Sequence, residues 1–184
     1  MKKSINLLWM LAVVVSSVLV AACSSSDDYQ DPKPATSSMM VNVKLGTGEF
    51  DPLQVFDITA HLIDDKGKET VIPITEQDWT KSISAGLPST MSAYLTFEKK
   101  SNLPQGMTTF CYSITADYSF YGQLDNDNKG VYKWNGKIDN ATKLDVAIED
   151  IDNQLEYLRS RFKGATATVT AEQDGTVTVK DYLQ

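Results

Sequence analysis

The stretch that decides the fold class is residues 107–121, MTTFCYSITADYSFY. Its large apolar side chains recur at every second position, with polar or small residues between them. A period of two places successive side chains on opposite faces of a β-strand, whereas an amphipathic helix needs a period of about 3.6. The row from Phe110 through Tyr118 to Phe120 is therefore predicted to face a core. Cys111 is predicted on the opposite face.

The same alternation extends from this stretch in both directions, interrupted roughly every eight to twelve residues by turn-forming residues. Earlier strands are predicted at residues 41–45, 56–62, 69–74 and 91–97. Later strands are predicted at 131–138 and 142–148, joined by a turn at Asp139-Asn140, and in a terminal hairpin of 165–171 and 176–182. The pattern as a whole predicts about eight to ten strands.

One late segment follows a helical period instead. Its apolar residues are three and four positions apart, which aligns them on one stripe of a helix: Ile151, Leu155, Leu158 and Phe162. The predicted helix spans residues 150–163, with acidic residues at its start, basic residues at its end and Gly164 just beyond it. This order suits the helix dipole and a glycine-terminated helix end.

These elements predict an all-β domain over residues 39–184. The favoured architecture is an antiparallel β-sandwich, immunoglobulin-like or similar, whose single late helix covers one face or end. A closed lipocalin-like barrel is the alternative. The sequence has no internal repeat of the length that propellers and solenoids require.

The first 22 residues have the pattern of a secretory signal peptide. Lys2 and Lys3 precede an apolar run that ends in two alanines directly before Cys23. The run is interrupted by polar residues and is shorter than the roughly 20 apolar residues that span a bilayer. Residues 1–22 are therefore predicted to be removed, and residues 23–38, polar and containing two prolines, to form a flexible tether.

Residues 19–23, LVAAC, resemble the lipobox of bacterial lipoproteins. The resemblance implies cleavage before Cys23 and attachment of acyl chains such as palmitate to that cysteine. Residues 24–28, SSSDD, resemble the acidic export signal of surface lipoproteins in the Bacteroides group. Together the two resemblances imply a lipid-anchored protein of the outer membrane, facing the cell exterior, with the membrane as a partner through the lipid anchor.

Charge disfavours nucleic acid as a partner. Removing Lys2 and Lys3 with the signal peptide leaves 15 basic residues of the original 17 against 24 acidic ones, a formal charge of −9. Nucleic acids and anionic lipid surfaces require cationic patches. Acylation of Cys23 would leave Cys111 as the second of only two cysteines, so the domain is predicted to fold on its apolar core without a disulfide framework.

The sequence offers no evident catalytic or metal site. His61 is the only histidine and is predicted on the outward face of its strand, where neither a zinc site nor a Cys111-His61 nucleophile pair is supported. Residues 125–130, DNDNKG, resemble a calcium loop, but Lys129 replaces a ligand and Gly136 stands where a bidentate glutamate is expected, so a hairpin loop is predicted. No cofactor is predicted, and an enzyme is the least favoured class.

The most suggestive binding feature is a group of aromatic residues on both sides of that loop. Tyr118 and Phe120 continue the inward row, whereas Tyr121, Trp134 and Tyr132 are candidates for contact with a ligand. The leading hypothesis is a surface module that binds a glycan or an envelope protein in a nutrient-uptake or adhesion assembly. The alternative is a structural or anchoring subunit of a surface appendage, in which the terminal hairpin or an open sheet edge pairs with a neighbouring chain.

Overall fold

Two antiparallel sheets carry the fold in a computed structural model, which describes residues 36–123, 131–171 and 177–181. The strands are β1 Thr36–Leu45, β2 Phe56–Ile63, β3 Glu69–Ile74, β4 Asp78–Gly86, β5 Ser89–Lys99, β6 Thr109–Gln123, β7 Val131–Ala147, β8 Ala165–Ala171 and β9 Val177–Asp181, and the helix α1 is Ile151–Arg161. The four-stranded sheet has the order β4-β1-β6-β7, and the five-stranded sheet has the order β3-β2-β5-β8-β9. This arrangement confirms the predicted β-sandwich over the closed lipocalin-like alternative.

The core lies between the two sheets and follows the period-two pattern. In β6 the row that begins at Phe110 is buried through Phe120, and Cys111 lies half-buried on the other face, as predicted. Phe56 packs edge-on against Phe110 and Tyr112, with ring centroids 5.8 and 5.9 Å apart. Edge-to-face packing is a favourable geometry for aromatic pairs. One apolar cluster therefore joins β2 of one sheet to β6 of the other.

The predicted turn at Asp139-Asn140 is wrong, because β7 runs unbroken from Val131 to Ala147. Asp139 is paired with Ala116 and Asn140 with Thr115 in the long ladder between β6 and β7. Asp and Asn favour turns locally, but the 15-residue partner strand β6 offers hydrogen-bonding positions along the whole segment. Tertiary pairing overrides the local preference here.

The strand β4 was not predicted. Of its nine residues only Trp79 is buried, and most of the others are exposed, since β4 pairs with β1 at the edge of the four-stranded sheet. An edge strand with one buried side chain has little alternation for a sequence pattern to detect. The segment 78–86 was therefore not distinguished from a loop.

The helix α1 contacts a strand of each sheet and binds one backbone carbonyl in each. Arg159 Nε donates to the carbonyl oxygen of Phe97 in β5 at 3.2 Å, and Arg161 Nε donates to that of Asn140 in β7 at 3.1 Å. The predicted apolar stripe is confirmed, since Ile151, Leu155, Leu158 and Phe162 are all buried. The helix is shorter than predicted, ending at Arg161, with Phe162 as its C-terminal cap.

An ion pair beside this helix is partly enclosed in the sandwich. Asp139 is 5% exposed, and its Oδ2 lies 3.2 Å from Lys137 Nζ, which also donates to the carbonyl oxygen of Gly164 at 3.1 Å. Replacing Lys137 with methionine is expected to lower the free energy of unfolding by about 3 kcal/mol, because the Asp139 carboxylate would stay buried without its cation. Urea unfolding measures this loss.

Lys66→Met is the matched control for that substitution. Lys66 is exposed in the turn between β2 and β3, and no carboxylate pairs with it among the described residues. Its replacement is expected to change the free energy of unfolding by about 0.5 kcal/mol or less. Equal losses in the two variants would show that Asp139 does not depend on Lys137.

Candidate functional site

A polar and aromatic cluster lies on the outer face of the five-stranded sheet. It consists of His61 from β2, Glu69 from β3, and Tyr94 and Thr96 from β5, and we call it the His61–Tyr94 cluster. Alternation in β2 and β5 buries the neighbours of these residues, so that His61, Tyr94 and Thr96 share the outward face. The antiparallel register then sets His61 directly opposite Tyr94.

The contacts within this cluster hold the Tyr94 ring in place. The imidazole of His61 stacks on it with centroids 4.4 Å apart and an interplanar angle of 8°. The Tyr94 hydroxyl donates to Glu69 Oε1 at 2.7 Å. His61 Nδ1 lies 2.9 Å from the same Glu69 oxygen, and His61 Nε2 lies 2.9 Å from Thr96 Oγ1. Ring and hydroxyl of Tyr94 are thus both constrained by neighbouring side chains.

The electrostatics of the cluster favour an ionised Glu69 and a neutral Tyr94. The hydrogen bond from Tyr94, followed by that from His61, lowers the pKa of the Glu69 carboxyl. The same hydrogen bond to Glu69 raises the pKa of the Tyr94 phenol. A carboxylate only accepts, so we assign a proton to Nδ1 of the imidazole, while Nε2 forms the second hydrogen bond, with the Thr96 hydroxyl.

The order of carboxylate, imidazole and hydroxyl also occurs in hydrolases, where the hydroxyl is the nucleophile. Threonine nucleophiles, however, are activated by their own N-terminal amine. Thr96 lies inside β5 and has no such amine. The arrangement is better suited to hold the imidazole, and through it the Tyr94 ring, than to form a covalent intermediate.

Directly beside the cluster is a cleft of about 370 Å³ between β5 and α1, which we call the β5–α1 cleft. Residues of the strand and of the helix segment line it, among them Tyr94, Thr96, Glu98, Arg159, Phe162 and Lys163. It therefore combines an aromatic ring, a hydroxyl and charged groups of both signs. Such a combination of an apolar surface with a few polar groups is typical of ligand sites.

The cleft exists because β5 changes its neighbour along its length. β8 pairs with β5 only at Ser89–Ala93, and from Tyr94 onward α1 lies against that side of the strand. Phe162 packs on Phe97 with ring centroids 5.3 Å apart, and this contact forms the apolar floor between strand and helix. A helix cannot match the flat profile of a strand, so the junction leaves an opening on the outer face.

A second cleft is lined by Tyr121, one of the residues predicted from the sequence to contact a ligand. Tyr121 lies half-buried on β6 and lines an opening of about 290 Å³ at one end of the four-stranded sheet. Ser38 of β1 stands between Tyr121 and Ser84 in the register, and Thr36 and Gln123 are among the other lining residues. The structure thus places Tyr121 among hydroxyl and amide groups.

The other selected residues are described only in part or not at all. Trp134 and Tyr132 belong to β7, where the register pairs them with Phe120 and Gly122 and not with Tyr121. Their side chains lie outside the described residues, as do Cys23 and the loop 125–130. Trp134, Tyr132 and Cys23 therefore stay predictions.

His61 faces outward as predicted, but it is not a plain exposed histidine. Its side chain is only 16% exposed, because Tyr94 covers one face of the ring and Glu69 and Thr96 bind its two nitrogens. One signal for part of this cluster was present in the sequence. The hairpin turn at 64–67 returns β3 beside β2, which brings Glu69 back towards His61, whereas the approach of Tyr94 depends on strand order.

Cys111 is not part of a reactive group in the described structure. Its Sγ accepts a hydrogen bond from the Asp145 amide at 3.4 Å. The parts of the chain that the structure describes hold no cluster of three or more histidine, cysteine or acidic residues that could bind a metal. They also hold no helix of the length and apolarity needed to cross a membrane.

In comparisons with known proteins, the chain matches no protein-family model, no curated protein and no solved structure. The β-sandwich and its clefts are therefore the basis for proposing a function. In the β5–α1 cleft, neighbouring side chains contact both the ring and the hydroxyl of Tyr94.

Proposed function

We propose that this chain is a lipid-anchored binding module of the outer membrane, facing the cell exterior, which binds a glycan through the β5–α1 cleft. The observation that carries this proposal is Tyr94, which lines the cleft and whose ring and hydroxyl are held by His61 and Glu69. The module functions as part of a nutrient-uptake or adhesion assembly. In this role the chain binds its ligand without catalysing a reaction.

A fixed aromatic ring is the feature that sugar recognition most needs. The C–H face of a sugar ring stacks on an aromatic face, and the hydroxyls around it require polar partners. The stacking partner His61 and the hydrogen bond to Glu69 fix Tyr94 before a ligand arrives, so little side-chain entropy is lost on binding. Thr96 and Glu98 supply oxygen atoms for sugar hydroxyls on the same wall of the cleft.

The sequence features at the N-terminus support the proposed location. A lipobox at Cys23 and a polar tether would hold the domain clear of the lipid headgroups, with the acidic surface in solution. A binding domain so placed meets extracellular polymers without crossing a membrane. The short acidic stretch after Cys23 supports the outward orientation by its resemblance to an export signal.

Replacing Tyr94 with alanine is expected to weaken glycan binding at least tenfold, because truncating a central aromatic anchor of a binding site typically has that effect. The measurement is a glycan array probed with the mature acylated protein in detergent, followed by titration calorimetry with each glycan that gives a signal. Tyr157→Ala is the matched control, since Tyr157 is an exposed tyrosine on α1 outside both clefts.

Tyr121→Ala separates the two clefts in the same assay. Loss of binding in Tyr121→Ala with full binding in Tyr94→Ala would place the site on the four-stranded sheet and contradict binding in the β5–α1 cleft. Thermal unfolding of each variant distinguishes lost contact from lost structure. Absence of any glycan signal would contradict glycan binding, and a protein would then be the ligand to test.

One observation favours the alternative of a structural subunit. β4 is an edge strand whose nine residues pair with β1 on one side and with no strand on the other within the described part of the chain. A strand of a neighbouring chain can extend a sheet at such an edge. A molar mass that rises with protein concentration in sedimentation equilibrium would favour this alternative.

A further inference from the structure

The β5–α1 cleft carries two cations on the helix side. Arg159 and Lys163 line it, facing the strand residues Tyr94, Thr96 and Glu98. The chain as a whole is acidic, with 24 acidic residues against 17 basic ones. The helix dipole explains why basic residues stand near the end of α1, but it does not explain why both line a cleft that contains a fixed aromatic ring.

The contacts of Arg159 and Lys163 leave their charge available to a ligand. Arg159 Nε binds the Phe97 carbonyl oxygen, and this contact anchors the guanidinium at the cleft. Within the described residues no carboxylate pairs with Arg159 or Lys163, whereas nearby Lys99 and Lys100 pair with Asp152 and Asp57. An unpaired guanidinium beside an aromatic ring is suited to a planar anion, which it can bind through two parallel hydrogen bonds.

We propose that the β5–α1 cleft selects acidic saccharides, namely sugars that carry a ring-attached carboxylate. The carboxylate binds Arg159 and is further attracted by Lys163, while the apolar face of the sugar ring packs on Tyr94. This inference rests on the proposed function, since it names the class of glycan that the same cleft takes.

Glu98 restricts which acidic saccharides the cleft can bind. Glu98 lines the cleft and its carboxylate has no cationic partner among the described residues, so the carboxylate is available to accept hydrogen bonds from sugar hydroxyls. It also repels a second negative charge placed on its side of the cleft. The arrangement therefore fits a sugar with one carboxylate at the helix side and neutral hydroxyls at the strand side.

The test compares carboxylated oligosaccharides with their methyl esters, which keep the ring and hydroxyls but lose the charge. Uronate and sialate oligosaccharides serve as probes, together with neutral oligosaccharides, and the protein is the mature acylated chain in detergent. Binding is expected for the carboxylates, with at least a tenfold loss on esterification. Binding is also expected to weaken as salt is added, because part of the attraction is between exposed charges.

Two variants locate the charge that is recognised. Arg159→Gln is expected to weaken binding of the carboxylated probe at least tenfold, and Lys163→Gln about threefold, since Lys163 is exposed and contributes attraction without fixed geometry. Arg161→Gln is the matched control, because Arg161 caps the carbonyl of Asn140 in the other sheet and does not line the cleft. Binding of the methyl ester is expected to be the same in all three variants.

The outcomes separate this inference from the proposed function. Equal binding of the acids and their esters, or an equal loss in Arg161→Gln and Arg159→Gln, overturns the selection for acidic sugars and leaves glycan binding in place. No binding to any saccharide overturns both. If Arg159→Gln unfolds, the effect of Lys163→Gln on binding of the carboxylated probe tests the inference by itself. The exposed Lys163 side chain makes no contact that the fold requires.

Discussion

Gly164→Ala is expected to lower the free energy of unfolding by about 3 kcal/mol or more. Gly164 joins α1 to β8 with a φ of +87°, in the left-handed region that side chains rarely adopt. A Cβ atom at this position would also overlap the carbonyl oxygen of Ala93 and lie 2.5 Å from Tyr94 Cβ. Backbone strain and steric overlap with a strand therefore add to one another.

Gly67→Ala measures the backbone part of this loss by itself. Gly67 has a φ of +74° in the turn between β2 and β3, and an added Cβ there meets no atom within 4 Å. Its replacement is expected to cost about 1 kcal/mol. Urea unfolding monitored by tryptophan fluorescence gives both values. Equal losses in the two variants would contradict the close packing of Gly164 against β5.

The same substitution connects the fold to the proposed site. The backbone of Tyr94 would have to move away from an alanine at 164, and the ring that lines the β5–α1 cleft would move with it. Glycine at the end of α1 was expected from the sequence for its conformational freedom. Its second role is to let the chain approach β5 closely. This role depends on the strand order, so the sequence around Gly164 does not predict it.

Elements whose side chains face the core were predictable for a physical reason. Burial between two sheets imposes a period of two on β6, and burial of one helix face imposes steps of three and four on α1. The hydrophobic pattern does not predict a strand that buries few side chains, or a segment whose pairing with a neighbouring strand overrides its local turn propensity. β4 buries little beyond Trp79, and Asp139 is held in a strand by its pairing with β6 and its ion pair with Lys137.

The candidate site was less predictable than the fold. Tyr121 was selected because it lies on the outward face of β6, opposite the inward row, a property visible within one strand. His61, Glu69, Tyr94 and Thr96 come from three strands, and their contacts depend on β2 lying between β3 and β5. Short sequence windows contain no information about that order. The other wall of the cleft is formed by α1, which is more than fifty residues away from Tyr94 in the chain.

Cys23→Ser is expected to release the protein from the membrane. Each methylene of an acyl chain buried in a bilayer contributes about 0.8 kcal/mol, so two or three chains make attachment durable and their loss removes it. A serine hydroxyl replaces the thiol to which the lipid would be attached. The expected result in cells is an unacylated protein that is lost from the envelope fraction, as measured by fractionation, detergent phase partition and intact mass.

Cys111→Ser is the matched control, because it removes the other of the two cysteines. Cys111 is half-buried in β6 and accepts one hydrogen bond from the Asp145 amide, so its replacement alters the fold little and leaves position 23 intact. This variant is expected to remain acylated and membrane-bound. If Cys23→Ser instead matured normally and stayed with the envelope, the lipid anchor would be refuted, and the domain would need a protein partner or another segment to hold it at the surface.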